Sequence, residues 1–514
     1  MLAFPASSRR WTQLLIAAGL SLLFFCFLLS SSRRDWVSGY LWAGEDETGV
    51  EYVRPGESLM PDVGPAESAK IGPEESTGVE PEKTTEIEPE KTTGIEPDKT
   101  TEVEPEKTTD ARPQETAEIK PEAPTKTTYP CQQLPGAEDV LVIMKTGATE
   151  AHEKLPTHFN STFRCTPHYA IFSDLEEEIH GHTIHDALYE IPEEIKQDSP
   201  EFRFYDKMRE LRADGINLGR LSNEEVRHAA WDLDKWKFLP LMKKALETRS
   251  KSKWFVFIEA DTYIVWSNLL QWLELFDHTQ PYYIGGQTWL GGEVFAHGGT
   301  GIIISQKALT MLVEKYNSST AEFIELTQKH YAGDLILSLA FKTLNISLTA
   351  TWPIMQGETP FTLDYTAKHM AHPVVSYHHM PSPWIDGMWE YEQKWINGTY
   401  GNETILRHKD VFLDFVGPEI IAGDRVFWDN ISKDIEEELA PNKGPHSCLV
   451  KCEANPECLQ WLFAAGMCKL GKVVRLGSAE LKEGSMVSGW MVDRISTFVS
   501  ELGPKADWIL ESPD

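Results

Sequence analysis

Glu259 and Asp261 stand two positions apart, directly after the unbroken apolar run Trp254-Phe255-Val256-Phe257-Ile258. Two carboxylates spaced this way suit a hard divalent cation, Mn2+ or Mg2+, which takes oxygen ligands, keeps some waters and is commonly completed by substrate phosphates. A cation held there would neutralise charge building on a leaving diphosphate. The same pair also fits a plainer reading, in which the acids merely solvate a strand end. Downstream, Asp334 follows Gly333 at the start of the apolar stretch Leu335 to Phe341, where an aspartate serves as a helix N-cap. His378 ends the short apolar run Val374-Val375-Ser376-Tyr377, with His379 beside it.

The elements that would position these groups can be read from the pattern around them. A short run of aromatic and β-branched residues predicts a strand buried on both faces. Leu269, Leu270, Leu273 and Phe276 recur at helical spacing after it, with Ser267 or Asn268 available as a cap. The acids therefore lie where a buried strand turns into a helix, the edge at which open α/β sheets bind ligands. Asp139 to Gly147 and His168 to Asp174 predict two more strand-and-loop units, whose ends carry Thr146 and Asp174. Glu224 to Glu247 reads as helix, with Trp236 and Phe238 in the core and Lys235 or Lys237 as a phosphate contact. Tyr282 to Gly286 predicts another strand, followed by a loop with Trp289, Gly291, Gly292 and His297. Gly298-Gly299-Thr300-Gly301 then precedes Ile302-Ile303-Ile304; glycines there let backbone approach a ligand closely or simply make a tight turn. The pattern is neither a dinucleotide fingerprint nor a Walker loop.

The phrase Trp254 to Tyr263, followed in order by Gly298 to Ser305, Gly333-Asp334 and Val375 to His378, resembles Fringe-type β1,3-glycosyltransferases and core-1 β1,3-galactosyltransferases of glycosyltransferase family 31. The resemblance covers about Val140 to Tyr391. It implies a GT-A-like α/β domain that binds a UDP-sugar and a divalent cation and transfers the sugar with inversion. Glu259, Asp261 and His378 would hold the metal and diphosphate, and Asp334 would be the base. Thr146, Asp174, Lys237, Glu259, Gly299 and Gly301 would line the nucleotide-sugar pocket. The chain departs from the family at Glu259 and Ala260, where two or three aspartates are usual. That departure supports a rival reading as a non-catalytic glycan-binding pseudoenzyme; a scaffold for an adhesion protein is a third.

The 514 residues divide unevenly. Residues 1–10 read as a cytoplasmic tail and 11–30 as a transmembrane anchor, since the apolar run from Trp11 to about Leu29 is long enough to span a bilayer. Small residues at Ser30 to Ser32 also suit signal-peptide cleavage. Residues 31–130 read as a stalk, in which an eight-residue motif recurs from Val79 and decays near Lys120, as in Val79-Glu80-Pro81-Glu82-Lys83-Thr84-Thr85-Glu86, with proline in each copy and too little apolar area to bury. This is a disordered acidic stalk, and much of the net charge of −31 comes from it, which argues against nucleic acid as a partner. The α/β domain is expected over 131–440, with Cys131 and Cys165 able to pair. Cys448, Cys452, Cys458 and Cys468 before Gly489-Trp490 resemble a PAN/Apple-type module over 445–495, followed by a tail over 496–514. Bridges suit these cysteines better than zinc, given their spacing and an oxidising compartment. Six N-x-S/T sequons, at Asn160, Asn317, Asn345, Asn397, Asn402 and Asn430, lie beyond the apolar segment.

These features together predict a single-pass type II Golgi membrane protein with a lumenal catalytic body, whose partners are a UDP-sugar donor and a glycan or glycoprotein acceptor. Its C-terminal module would contact protein or glycan. The segment from Trp11 to Leu29 should remain in the mature protein; an N-terminus near Ser32, found by sequencing, would refute the anchor.

Overall fold

The computed structural model describes residues 129–512, except 222, 399–403 and 481–485. The expected tail and anchor, and nearly all of the stalk, lie outside the described residues; among those described, no helix is long and apolar enough to cross a membrane.

The first strands in the chain are β1 (Val140–Lys145), β2 (Tyr169–Ser173), β3 (Glu177–Ile179), β4 (His182–Asp186) and β5 (Trp254–Glu259). β6 (Tyr263–Ile264), β7 (Tyr283–Gly285), β8 (Gln287–Leu290), β9 (Glu293–Ala296), β10 (Ile302–Ser305), β11 (Leu348–Ala350) and β12 (Ser376–Tyr377) follow. Eight of them form one mixed sheet in the order β11-β7-β10-β5-β1-β2-β4-β3. β5 and β2 flank β1 in parallel, and β10 runs antiparallel to β5. The apolar run of β5 is buried on both faces, as its composition predicts. Trp254, Val256 and Ile258 enter one core cluster, with helices Ala151–Asn160 and Trp266–Leu273; Phe255 and Phe257 enter the other, with helices Phe238–Thr248, Gln306–Ser318 and Gly333–Lys342. The result is a three-layer α/β domain.

Several local expectations change. The helix after β5 starts at Trp266 with Val265 at its N-cap, not at Ser267 or Asn268. A tertiary acceptor replaces the local cap: the buried Glu392 carboxylate accepts from the Ser267 N–H at 2.7 Å and from its hydroxyl at 2.8 Å. Asn268 instead ties the helix to the Val374 and Leu406 backbone. The Glu224 to Glu247 stretch is two helices, Glu224–Asp234 and Phe238–Thr248, broken at residues whose lysines turn inward to acids. The expected loop around Trp289 is the hairpin β8–β9, because Gly291 and Gly292 supply two consecutive positive φ angles, +60° and +93°.

The C-terminal module adds β13 (Arg425–Val426), β14 (Trp428–Asp429), β15 (Ile435–Glu438), β16 (Gln460–Ala464), β17 (Met467–Gly471), β18 (Ser478–Ala479) and β19 (Met486–Trp490). Five of these make an antiparallel sheet, β13-β19-β16-β17-β15, so its strands begin before 445. Disulfides Cys448–Cys468 and Cys452–Cys458 fasten helix Pro445–Ala454 to it, and Cys131–Cys165 closes the start of the α/β domain. Val474, Leu476, Trp490, Ile495 and Val499 share one core cluster with Tyr263, Phe361 and Tyr377, so the module packs as part of the larger body. The tail returns as well: Trp508 stacks on Trp272, and Ser512 bonds to the edge strand β11. Asn430 differs from the other described sequon asparagines, which are exposed. It is buried, and its amide donates to the Trp461 and Gly489 carbonyls, so no glycan fits there in the folded chain.

Behind β12, the His408 ring lies with Nδ1 2.9 Å from the Tyr377 hydroxyl and with Nε2 donating to the Pro353 carbonyl at 2.8 Å. Burial depresses its pKa to about 3, and that of the neighbouring His369 to about 4. The unfolded chain binds protons at these sites below about pH 6.5 while the folded one does not. Stability should therefore fall as pH drops through that window, by at most roughly 1.4 kcal/mol per pH unit for each ring. Urea denaturation from pH 7.5 to 5 checks this: the stability gap between wild type and His408→Gln should narrow on acidification. A constant gap would count against it.

Candidate functional site

β1 and β5 end side by side, with Lys145 in register with Glu259. The chain after β5 turns at Ala260-Asp261-Thr262 and enters β6, which pairs antiparallel with β12 in the register Tyr263↔Tyr377. Continuing that register past the strand ends carries His378 and His379 to Thr262 and Asp261, and the Met380 N–H donates to the Asp261 carbonyl at 2.9 Å. Asp261, His378 and His379 each offer a ligand atom within 4.8 Å of the others. The His378 Nε2 lies 3.4 Å from Asp261 and 3.6 Å from Glu259. The ring is buried between these carboxylates, and its Nδ1 has no hydrogen-bond partner, an arrangement that fits a ring kept for a cation. The sequence singled out His378; the structure adds His379, whose φ of +54° lifts it out of the strand conformation.

The glycine cluster fits around this ring. Gly299 lies flat against the His378 imidazole, and a Cβ there would overlap it. The Thr262 hydroxyl holds the Gly299 carbonyl at 2.8 Å, and the Ser376 hydroxyl holds that of Thr300 at 2.6 Å. Gly301 takes φ +86° to enter β10 and is buried under the sheet end, where it shapes the loop. Gly298 places its N–H 2.9 Å from Asp334 Oδ2, and a Cβ on it would sit 3.0 Å from Glu259 Oε1. Asp334 is thus brought beside the acidic pair. It is not an N-cap: Ala332 holds that position, and Asp334 lies in the first turn of its helix. Gly333 makes this possible, since only a residue without Cβ clears the Phe238 ring. Burial raises the Asp334 pKa, offset in part by His297 and the Gly298 N–H.

Thr146, Asp174 and Lys237 sit on the other side of Glu259 as parts of one ion chain. Lys237 is 2% exposed, and its ammonium lies 2.7 Å from Asp174, 3.1 Å from Asp234 and 3.0 Å from the Thr146 carbonyl. Asp234 also pairs with Lys145, which lies 3.0 Å from Glu259. On the far side, Lys154 bridges Asp261 at 3.4 Å and Glu150 at 2.8 Å. Burial opposes ionisation of Glu259 and Asp261, but Lys145 and His378 outweigh it for the first, and Lys154 and His378 for the second. Both carboxyls stay far below their usual range. Burial likewise opposes the charge on His378, yet Asp261 and then Glu259 lift its pKa to about 9. Lys237, expected as a phosphate contact, therefore has its ammonium committed to acids and backbone. Lys145, Asp234 and Lys154 carried no role in the sequence reading. The only hint was Lys145 at the end of the first strand, beside Thr146.

Residues 241–384 match the Fringe-like family model. That stretch contains Glu259, Asp261, Gly299, Asp334 and His378. A β-1,3-glucosyltransferase of Mus musculus is 24% identical over 181 residues, 34% of this chain and 34% of that protein. The β-1,3-glucosyltransferase of Homo sapiens is 26% identical over 136 residues, 26% of this chain and 25% of that protein. The chain thus spans about a third of the length of the first relative and a quarter of the second. The matches support a glycosyltransferase-type α/β domain around this site.

Removing one member of the ion chain leaves buried partners uncompensated. Lys145→Met should lower stability by roughly 3 kcal/mol, and adding Glu259→Gln should restore part of that loss. Thermal melts of the two single variants and the double variant give the coupling; additive effects would refute the pairing.

Proposed function

We propose that this chain is a metal-dependent inverting glycosyltransferase, moving a sugar from a UDP-sugar to a hydroxyl of a glycan or glycoprotein and forming a β1,3 linkage. The observation that carries this reading is the meeting of Asp261, His378 and His379 at one sheet edge, with Glu259 alongside and Asp334 joined to it through Gly298. The donor set of one carboxylate and two imidazoles suits Mn2+, or Mg2+ less well. The cation, when bound, supplies Lewis-acid stabilisation for the departing diphosphate. Asp334 takes the proton of the acceptor hydroxyl as its oxygen bonds to the anomeric carbon and the bond to UDP breaks. Its burial raises its basicity, while two backbone N–H groups, from Gly298 and Leu335, aim both oxygens. Thr146, Asp174 and Lys237 brace the β1 and β2 ends against which the nucleotide would lie, and Gly299 and Gly301 shape the loop over the metal.

Ala260 was the motive for the pseudoenzyme reading. It is buried in the core cluster, its N–H bonds to the Lys145 carbonyl, and its own carbonyl accepts from His158. Its side chain lies in the core while Glu259 and Asp261 meet His378, so alanine there takes no ligand from the site. The anchor, acidic stalk and lumenal sequons suit a type II Golgi protein, and the stapled C-terminal module suits a PAN/Apple-like contact with protein or glycan.

Asp261→Asn and Asp334→Asn should fail differently. Asp261→Asn should weaken manganese-dependent UDP binding, read by calorimetry. Asp334→Asn should bind UDP normally and lose roughly 10²–10⁴-fold in turnover, read as UDP release. Full turnover in Asp334→Asn would overturn the assigned base.

A further inference from the structure

Trp231 and Tyr331 remain 48% and 43% exposed, although both are large aromatics. Their rings pair with centroids 5.8 Å apart at 42°. Trp231 lies on helix Glu224–Asp234, of which only Leu233 is buried, and Tyr331 on the bend between helices Thr320–Lys329 and Gly333–Lys342. The same two stretches of chain meet twice. Inside, Phe238 presses on Gly333 and so sets Asp334; outside, Trp231 meets Tyr331 at the rim of that seam. Tyr331 stands three positions before Asp334, which caps their Cα distance at about 11 Å. The Tyr331 phenol has a raised pKa, through burial first and then the Asp334 charge, in keeping with that proximity.

An aromatic pair that only sealed this seam would hide its rings; nearly half of each side chain stays in water instead. Indole and phenol combine an apolar face with a polar edge, which matches a pyranose, with its C–H patches and its hydroxyls. We propose that Trp231 and Tyr331 form an acceptor subsite, stacking on a neutral pyranose of the glycan whose hydroxyl is presented to Asp334. The proposal rests on the transferase reading and adds to it the surface that selects the acceptor. Both residues act by positioning, and neither takes part in the transfer chemistry.

The test uses methyl glycosides of glucose, galactose, fucose, N-acetylglucosamine and N-acetylgalactosamine as probes, titrated by saturation-transfer NMR against the whole lumenal chain. UDP binding with manganese is measured on the same samples. At least one glycoside should bind wild type, and Trp231→Ala should weaken it about tenfold. Trp231→Phe should retain most of the binding, and UDP affinity should be unchanged in every variant. Tyr331→Ala should behave like Trp231→Ala, which guards against a fault in either single variant. Equal glycoside binding by wild type and Trp231→Ala, or no glycoside binding by wild type, would overturn the subsite. Glycoside binding that depends on Trp231 in a chain that fails to bind UDP would support the aromatic subsite and sink the transferase reading.

Discussion

A single alternating chain of charge crosses the edge of the central sheet. It runs Asp174, Lys237, Asp234, Lys145, Glu259, His378, Asp261, Lys154, Glu150, each paired with the next. Most of these groups are buried or half-buried, and burial opposes the charge on Glu259 and Asp261. Arranged in alternation, each charge offsets the desolvation of its neighbours, and the carboxylates at the centre remain ionised. On the proposed reading the site receives a cation and a diphosphate, for which this ladder holds the Glu259 and Asp261 carboxylates ionised. It also explains why β1, β2, β5 and the inward-turned lysines between helices Glu224–Asp234 and Phe238–Thr248 must end at one level.

The rest of the architecture serves that edge. Antiparallel pairing of β6 with β12 is what turns two histidines toward Asp261, far away in sequence. Glycines provide the close approaches: Gly299 under the His378 ring, Gly333 over Phe238, and Gly298 between Glu259 and Asp334. The C-terminal module contributes to the core beneath β6 and β12, since Val474, Leu476 and Trp490 share one cluster with Tyr263 and Tyr377.

How much of this is legible in the sequence depends on the range of the interaction. Trp254 to Ile258 announces its strand because burial on both faces demands an unbroken apolar run, and Glu259 and Asp261 follow directly. His378 and Asp334 are legible as positions, through the apolar segments next to them and the family resemblance. The ion chain is not, because Lys145, Asp234 and Lys154 are ordinary charged residues until the fold brings them together. His379 is hidden for a similar reason: its place follows from strand register and one positive φ. The misplaced cap at Ser267 shows a distant carboxylate, Glu392, doing what a local side chain normally does. Ala260 shows the converse, since a departure from motif turns out to point into the core.

The central claim is that Asp261 and His378, with His379 beside them, form a cation site that receives a nucleotide diphosphate. Anomalous diffraction from crystals of the protein grown with Mn2+ and UDP measures this directly. The account predicts one manganese peak within about 2.3 Å of an Asp261 oxygen and a His378 nitrogen, bridged to the diphosphate. UDP bound without manganese there, or manganese ligated by other residues, would contradict it.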